Sequence, residues 1–555
     1  MPKHQRLWLI ATAALIAAVT ILVHWPAVHN GFVNWDDPFY LERVSELKRV
    51  SPASLEWVFT ALPVYYQPLT WLSHLIDFQI WGWDLAGHHA TSIVLHGINA
   101  ALVFLFLWML TGAIEDLSPS TRLMVSAGVA VVFGIHPLQV ESVAWIAERK
   151  TLLCTLFSLL SLCAYLRAVS RQNGRGWWWG LVVLFVAAWL SKPMAVSLPL
   201  VMLSLDFYPL RRQRQRHWRQ LIQEKWLLFL FCLAAGIVTI VAQSHTGALT
   251  GLVGFGIWDR CLVAARNVAF YVWKLIWPAW LSPYYPLEGE ISSGDLEFWG
   301  SLVGVVLVTA LAFGRRHRLP AVWSAWSAYL ALILPVSGLL QAGPQGAGDR
   351  FMYFAMVPLL ALAAAGSVWF WQRSPLVLRS ALTTVLGCLV LFYGMRTHDQ
   401  IPVWRDDVTL WMTAAIYFPE SALTNWKLAI ALTDQQRYEA ALVYAQKALR
   451  LNPTFGPAHA ELGDIYLKMH RYQDAVKESQ EALRLKPDQP NGQYVLACAY
   501  ARLGRLKQSF ELLQRLLVTN PEFAAWAARD EDLAVLRKQP EYAARFATLI
   551  ATAKN

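Results

Sequence analysis

Residues 422–455 read ALTNWKLAIALTDQQRYEAALVYAQKALRLNPTF, and the chain from Gly456 onward repeats their pattern with a period of 34. Leu428, Ala441, Ala448 and Pro453 are answered by Leu462, Ala475, Ala482 and Pro487, and Leu496 and Pro521 mark a third copy that starts at Asp488 or Gln489. Tyr438, Gly463, Tyr466, Ala497 and Tyr500 occupy the remaining signature places. The physical content is a helical hairpin. Small residues let two helices approach, large ones fill the gap between hairpins, and a proline stops the second helix because it lacks the N–H that would continue it. Residues after Glu522 are more weakly patterned and read as a capping helix or a partial repeat.

This is the tetratricopeptide pattern, whose stacked hairpins form a concave groove for a peptide or a partner protein; the alternative use is packing against the rest of the chain. The rest of the chain is chemically different. Hydrophobic residues make up 56% of the sequence and charged ones 15%, and many of the 28 tryptophans flank apolar runs, where amphipathic rings favour a membrane interface. A spanning helix needs roughly 20 apolar residues. The candidates are 7–23, 90–111, 123–135, 152–166, 177–190, 194–210, 226–241, 298–314, 319–340, 352–371 and 376–393, about eleven in all. The expected fold is therefore all-α: a polytopic membrane bundle over residues 1–400, a linker over 401–421, and a tetratricopeptide α-solenoid over 422–555. Soluble enzymes lack such a front half, whereas membrane catalysts and transporters can carry such a tail.

The net charge of +10 does not imply nucleic acid, because its largest cluster, Arg211, Arg212, Arg214, Arg216 and Arg219, lies between apolar segments and reads as a cytoplasmic loop. Cysteines 154, 163, 232, 261, 388 and 498 have no metal-ligand spacing and imply neither a zinc site nor a disulfide framework. The first apolar segment follows Lys3 and Arg6 and is read as an uncleaved anchor rather than a signal peptide. Residues 262–281 are apolar but interrupted by Arg266 and Lys274. If this stretch lies in the interface, the basic loops at 167–175, 211–219, 315–318 and 373–379 all fall on the cytoplasmic side; if it spans, the 315–318 loop lands outside. The first option puts residues 24–89, 136–150, 242–297, 341–351 and the repeats on the outer face.

The outer face collects the reactive groups. Asn34-Trp35-Asp36-Asp37-Pro38 leaves the first helix with two adjacent carboxylates, which either cap a turn or do chemistry. Neighbouring side chains point about 100° apart on a helix and to opposite faces on a strand, so one acid can face a reacting centre while the other orients or coordinates. His88 and His89 open the second helix, with His96 and Asn99 deeper; His136 to Ser142 leads through Glu141 to Glu148, Arg149 and Lys150; Ser191-Lys192-Pro193 and Gly348-Asp349-Arg350-Phe351 follow. Ionisable groups at membrane depth are costly and tend to be functional, although any single one can serve as an interfacial anchor or helix cap. Arg149, Lys150 and Arg350 are candidate ligands of a phosphate; Asp36, Asp37 and Glu141 are candidate bases; Asn34, His88, His89, His136 and Lys192 are candidate positioning groups.

In their combined order, the Asn-Trp-Asp-Asp exit, the His-Pro-x-x-x-Glu-Ser-Val-Ala-Trp-x-x-Glu-Arg-Lys segment from His136 to Lys150, the Ser-Lys-Pro after Leu190, the Asp-Arg-Phe-Met-Tyr segment from Asp349 and the repeat tail resemble the transmembrane-and-tetratricopeptide protein O-mannosyltransferases and their bacterial relatives, members of the GT-C superfamily. The resemblance implies inverting transfer of a sugar from a polyprenyl- or dolichyl-phosphate donor to a protein hydroxyl. It implies no required cofactor, with a divalent metal on the acid pair as an option. Partners would be the lipid-linked donor, membrane lipids, and a protein acceptor or partner in the repeat groove. Absence of an unblocked Asn-x-Ser/Thr sequon suits a bacterial inner-membrane protein with periplasmic repeats. The rivals are an oligosaccharide ligase, whose working residues would sit in the 242–297 loop with His245, Asp259, Arg260 and Arg266, a transporter or lipid flippase, and a non-catalytic scaffold.

Overall fold

The computed structural model describes all residues except 1–2, 48, 61–65, 116, 171–173, 246–255, 288–294, 340–344 and 555, so parts of the 242–297 loop, the His245 side chain among them, lie outside the described residues. Two compact units meet at the 406/407 boundary.

In the first unit, α1 (Lys3–His24) is followed by a 3-10 turn and four helices, α2 (Asp37–Leu47), α3 (Pro52–Thr60), α4 (Pro68–Trp81) and α5 (Leu85–Thr111). Next come α6 (Pro119–Ile135), the short α7 (Val140–Ala144), α8 (Arg149–Ser170), α9 (Arg175–Ser191), α10 (Leu198–Phe207), α11 (Trp218–Gln223) and α12 (Trp226–His245). The unit ends with α13 (Ile257–Ile276), α14 (Leu296–Gly314), α15 (Pro320–Ile333), α16 (Met352–Arg373) and α17 (Leu376–Gln400). Each segment expected to span is helical through most of its described residues. Among the described residues, six helices are long and apolar enough to cross a membrane, or seven if the pair 119–135 and 137–144, bent by 56°, counts as one span. Fewer than the eleven expected meet this criterion: among the described residues the other four segments form apolar helices over 175–191, 193–207, 226–238 and 320–336, the third being the fully described part of α12. The ambiguous α13 is not among the candidate spans. It buries Val263, Asn267, Tyr271 and Lys274 on one face and exposes Trp258, Trp273 and Ile276, the pattern of a helix lying along an interface.

Close packing of α1, α5 and α6 depends on glycine. A Cβ on Gly97 would stand 2.7 Å from Ile21 Cγ1 and 3.1 Å from the Ala17 carbonyl, and one on Gly134 would collide with the Thr20 hydroxyl. A buried polar node then ties four helices. His96 pairs through Nδ1 with the Tyr353 hydroxyl at 2.7 Å and through Nε2 with the Gly134 carbonyl at 3.1 Å, while Asn99 donates to the Leu152 carbonyl at 3.0 Å and to Tyr353 at 3.1 Å. These two residues serve packing, since a buried polar group unpaired in an apolar bundle is costly. A two-stranded antiparallel ribbon pairs Tyr285 with Ala347 and Pro286 with Gln345, and it fixes the backbone just before Arg350.

The ends of this bundle differ in character. Residues 25–37, 136–148, 192 and 349–350 meet at one end; Arg167, the 211–219 loop, the 315–318 loop and the 373–379 turn terminate the same helices at the other.

In the second unit, α18 (Asp407–Tyr417) precedes the hairpins α19 (Ala422–Asp434)/α20 (Tyr438–Leu451), α21 (Gly456–Lys468)/α22 (Tyr472–Leu485) and α23 (Pro490–Arg502)/α24 (Leu506–Thr519). Residues 401–421, expected as a linker, are thus mostly a 3-10 turn and a helix that packs on α19. The hairpins follow the sequence period down to the backbone. Gln436, His470 and Gly504, spaced 34 apart, each take a positive φ (59°, 60° and 74°) where the first helix of a pair turns into the second. After Glu522 come three helices, α25 (Phe523–Ala527), α26 (Ala534–Lys538) and α27 (Pro540–Lys554), and α27 packs on α24 with Tyr542 against Phe510.

Candidate functional site

The two adjacent aspartates after α1 diverge. Asp37 begins α2 and points inward: its carboxylate accepts from the Val33 N–H at 3.1 Å and from the Ala147 N–H at 2.9 Å, and the residue is 1% exposed. Burial pushes its carboxyl up to about 7, against the two N–H bonds that favour the charged form. Asp37 therefore clips the loop after α1 to the loop before α8. It is a structural acid rather than the base expected of it. Asp36 points the other way, with its side chain 27% exposed and Lys150 Nζ donating to its Oδ2 at 3.2 Å. Asn34 is exposed beside it.

Around Asp36 lies a chain of alternating charges. Glu148, missed as a candidate in its own right, is the hub: Lys192 Nζ stands 2.9 Å away, Lys150 Nζ 3.3 Å and Arg350 Nε 3.4 Å, and the Thr151 hydroxyl donates to it as well. Arg350 also pairs with Glu141, whose second oxygen accepts from the Arg350 backbone N–H at 2.9 Å, and it donates to Gln345 Oε1 at 2.9 Å. Glu141 thus holds Arg350 and offers no oxygen to solvent as a base would. The Arg350 guanidinium lies over Trp145 (5.6 Å) and Phe351 (4.7 Å), and Lys150 over Trp145 (5.7 Å) and Tyr40 (5.5 Å). Trp145 is wedged between Trp35 and Trp404, so the floor under these cations is rigid.

What presents Arg350 is a second layer. Asn267 donates to the Gly346 carbonyl at 2.7 Å and to the Ser337 carbonyl at 2.9 Å; Gly348 N–H donates to the Tyr271 hydroxyl at 3.1 Å, and Tyr285 donates to Asp349 at 2.9 Å. Beneath Lys192 and Arg350 opens a cleft between α8, α10, α15 and α16, lined by Thr151, Cys154, Leu198, Leu332, Phe351 and Phe354 among others. The arrangement is amphipathic: two cations at the head and a mostly apolar lining behind.

Several expected site residues stand elsewhere. Arg149 is 0% exposed; it pairs with Asp77 of α4 and donates to the His88 carbonyl at 2.6 Å. Helix starts place successive side chains about 100° apart, so Lys150 faces the site and Arg149 faces the core. The phosphate role expected of Arg149 is corrected accordingly. His88 bonds the Gly82 carbonyl (2.9 Å) and His89 the Gly31 carbonyl (3.3 Å); His136 bonds the Leu275 carbonyl (3.0 Å) and caps the Leu138 N–H (3.2 Å). All three fasten backbone and none reaches the Asp36 group. Asp77 gave one signal in sequence: it is the only acid in the apolar run PLTWLSHLIDFQIW of α4, and a lone acid there needs a buried cation. Among the described residues, no group of three His, Cys, Asp or Glu is placed to hold a metal, and Asp36, Glu141 and Glu148 are each engaged by lysine or arginine.

Tetratricopeptide-repeat family models match residues 432–478 and 461–525. Protein O-mannosyl-transferase TMTC4 of Homo sapiens is 26% identical over 426 residues, which cover 68% of this chain and 57% of that protein. Its relatives are protein O-mannosyl-transferases. Tmtc1 of Drosophila melanogaster is 25% identical over 495 residues (72% of this chain, 55% of the relative), and TMTC3 of Homo sapiens is 22% identical over 503 residues (82% and 53%). The chain spans about half the length of these curated relatives. It is a polytopic, nearly all-helical membrane protein with tetratricopeptide repeats that is similar to the O-mannosyl-transferases through most of its own length.

Proposed function

We propose that this chain is a membrane glycosyltransferase of the GT-C type, moving a sugar from a polyprenyl-phosphate donor to a protein hydroxyl with inversion. Mannose is the sugar suggested by the relatives' names. One observation carries the reading: a partly exposed aspartate, Asp36, shares Lys150 with a cation cluster that heads an apolar cleft.

In this reading the donor phosphate binds at Lys192 and Arg350 with its prenyl tail against Cys154, Leu198, Leu332 and Phe354. The acceptor oxygen attacks the anomeric carbon from the side opposite the phosphate. As that C–O bond forms, the bond from the anomeric carbon to the phosphate oxygen breaks, its electron pair stays on the phosphate, and the hydroxyl proton passes to Asp36. Lys192 and Arg350 then meet the charge growing on the leaving oxygen, the effect by which fixed charges lower such barriers most. Lys150, with Nζ 3.2 Å from Oδ2, keeps Asp36 aimed until the proton arrives. No step needs a metal ion, because lysine and arginine occupy the phosphate end. The basic ends of the helices, opposite this cluster, are assigned to the cytoplasmic side by the positive-inside tendency. The site then faces the outside of a bacterial inner membrane, with the repeats in the periplasm, where their groove takes the protein acceptor or a partner.

The test is donor binding and turnover with polyprenyl-phosphate mannose. Lys192→Gln, which leaves Lys150 and Arg350 on Glu148, should weaken donor affinity by about 10- to 100-fold, the value of one charge-assisted hydrogen bond. Unchanged donor affinity in both Lys192→Gln and Arg350→Lys would sink the phosphate assignment.

A further inference from the structure

A second cleft, of about 570 Å³, lies at the other end of the bundle, lined by Phe207, Arg211, Gln213, Arg214, Trp218, Phe313, Arg316, His317, Pro320 and Trp323. It is separate from the candidate site: residue 198 of α10 lines the first cleft and residue 207, at that helix's far end, lines the second. Its charge is uncompensated. Nearby, Asp206 is consumed by Lys225 (2.6 Å) and Arg212 (3.2 Å), and Glu224 by Arg212 (2.9 Å) and Arg216. Arg211, Arg214 and Arg316 have no ion pair among the described residues, and no carboxylate lines the cleft. Arg211 is held at φ 51°, a left-handed conformation disfavoured for a long side chain, in the loop that forms the cleft wall.

Two further features narrow the ligand. The walls are aromatic, with Phe207 stacked on Trp218 (6.4 Å) and Phe313 against Trp323 (5.2 Å), and they continue into α14, an apolar candidate span whose Val303, Val306, Leu307 and Leu311 are exposed. Gln213 donates through Nε2 to the Phe207 carbonyl at 3.0 Å, which leaves its buried Oε1 as an acceptor with no partner. A ligand that satisfies all of this brings a phosphate for the arginines, a hydroxyl donor for Gln213 and a hydrocarbon tail for α14.

We propose that this cleft is a specific site for an anionic glycerophospholipid whose headgroup carries a hydroxyl, phosphatidylglycerol being the simplest of the class, in the leaflet opposite the candidate active site. The full-length protein is purified in a neutral detergent, and retained lipid is counted by native mass spectrometry against added phosphatidylglycerol, phosphatidate or phosphatidylcholine. Phosphatidylglycerol should be retained in preference to both others. The triple change Arg211→Gln, Arg214→Gln, Arg316→Gln should lower its apparent affinity by about 100-fold, from about fivefold per arginine at a membrane surface. A control that removes the same charge beside the cleft, Arg219→Gln, Arg315→Gln, Arg318→Gln, should lower it by a clearly smaller factor. Equal losses in the two triples would mean diffuse surface charge and overturn the site. Thermal stabilisation by soluble glycerol phosphate equal to that by the lipid would overturn the lipid assignment in favour of a free polyol phosphate. Should the first triple variant fail to fold, Gln213→Met keeps every arginine: it should abolish the preference for phosphatidylglycerol over phosphatidate, and an unaltered preference refutes the proposal.

Discussion

Arg149→Met should cost stability and spare donor binding. The guanidinium is fully buried and spends its donors on Asp77, the His88 carbonyl and the Ser92 hydroxyl. Methionine matches the stem but leaves the Asp77 carboxylate, 4% exposed, with the Thr91 hydroxyl at 3.1 Å and His88 Nδ1 at 3.6 Å as its remaining neighbours. Removing one partner of a buried ion pair costs about 3–5 kcal/mol, because a charge is stranded in a low-dielectric interior. Domains are stable by about 5–15 kcal/mol, so the loss is about a fifth or more of the total. Removing both charges together, Arg149→Met with Asp77→Leu, should recover much of it, since a well-packed apolar pair rivals a buried salt bridge. The assay is reversible unfolding of detergent-purified protein in a double-mutant cycle, with donor affinity measured on the folded fraction. A single Arg149→Met protein of wild-type stability that has lost donor affinity would refute the assignment, because it would show the guanidinium facing substrate.

The adjacent acids should separate by readout. Asp36→Asn is expected to lower turnover by about 10²- to 10⁴-fold at unchanged stability, whereas Asp37→Asn, which can accept only one of two buried N–H bonds, should cost about 1–3 kcal/mol of stability; equal turnover losses with no stability difference would remove the division of roles. In the repeats, burial lifts the Glu461 carboxyl from its ordinary 4.5 to about 8. A raised folded-state value gives stability that is complete below the unfolded value and lost as pH climbs through the folded one. The melting temperature of the repeat unit relative to Glu461→Gln should accordingly fall between about pH 5 and about pH 8, and a relative rise over that window contradicts the burial argument.

The repeats were fully legible because their period is written in small residues and prolines at fixed places, and the left-handed turns at Gln436, His470 and Gly504 obey the same period. The membrane helices were legible as apolar runs, but run length does not show where they break: Lys192-Pro193 separates 175–191 from 193–207, and α15 gives way to a 3-10 turn at Leu334. The divergence of Asp36 from Asp37 follows from the angle between neighbouring side chains. The same angle applies to Arg149 and Lys150, yet which of the two faces inward depends on Asp77, more than 70 positions away and outside every span expected from hydropathy. Glu148 was visible within its segment, but its place at the centre of three cations comes from α8, the 192–197 turn and the 345–351 loop meeting in space.

The cluster at the candidate site is electrically balanced, with Lys150, Lys192 and Arg350 against Asp36, Glu141 and Glu148. A small soluble anion entering it merely trades places with a carboxylate and gains little. A prenyl chain changes the exchange, since each buried methylene adds about 0.8 kcal/mol that no free sugar phosphate can supply. For the lipid-linked donor proposed above, balance at the headgroup would act as a filter: soluble nucleotides and sugar phosphates would be kept from competing, and the length of the tail, rather than its charge, would decide what occupies the cleft.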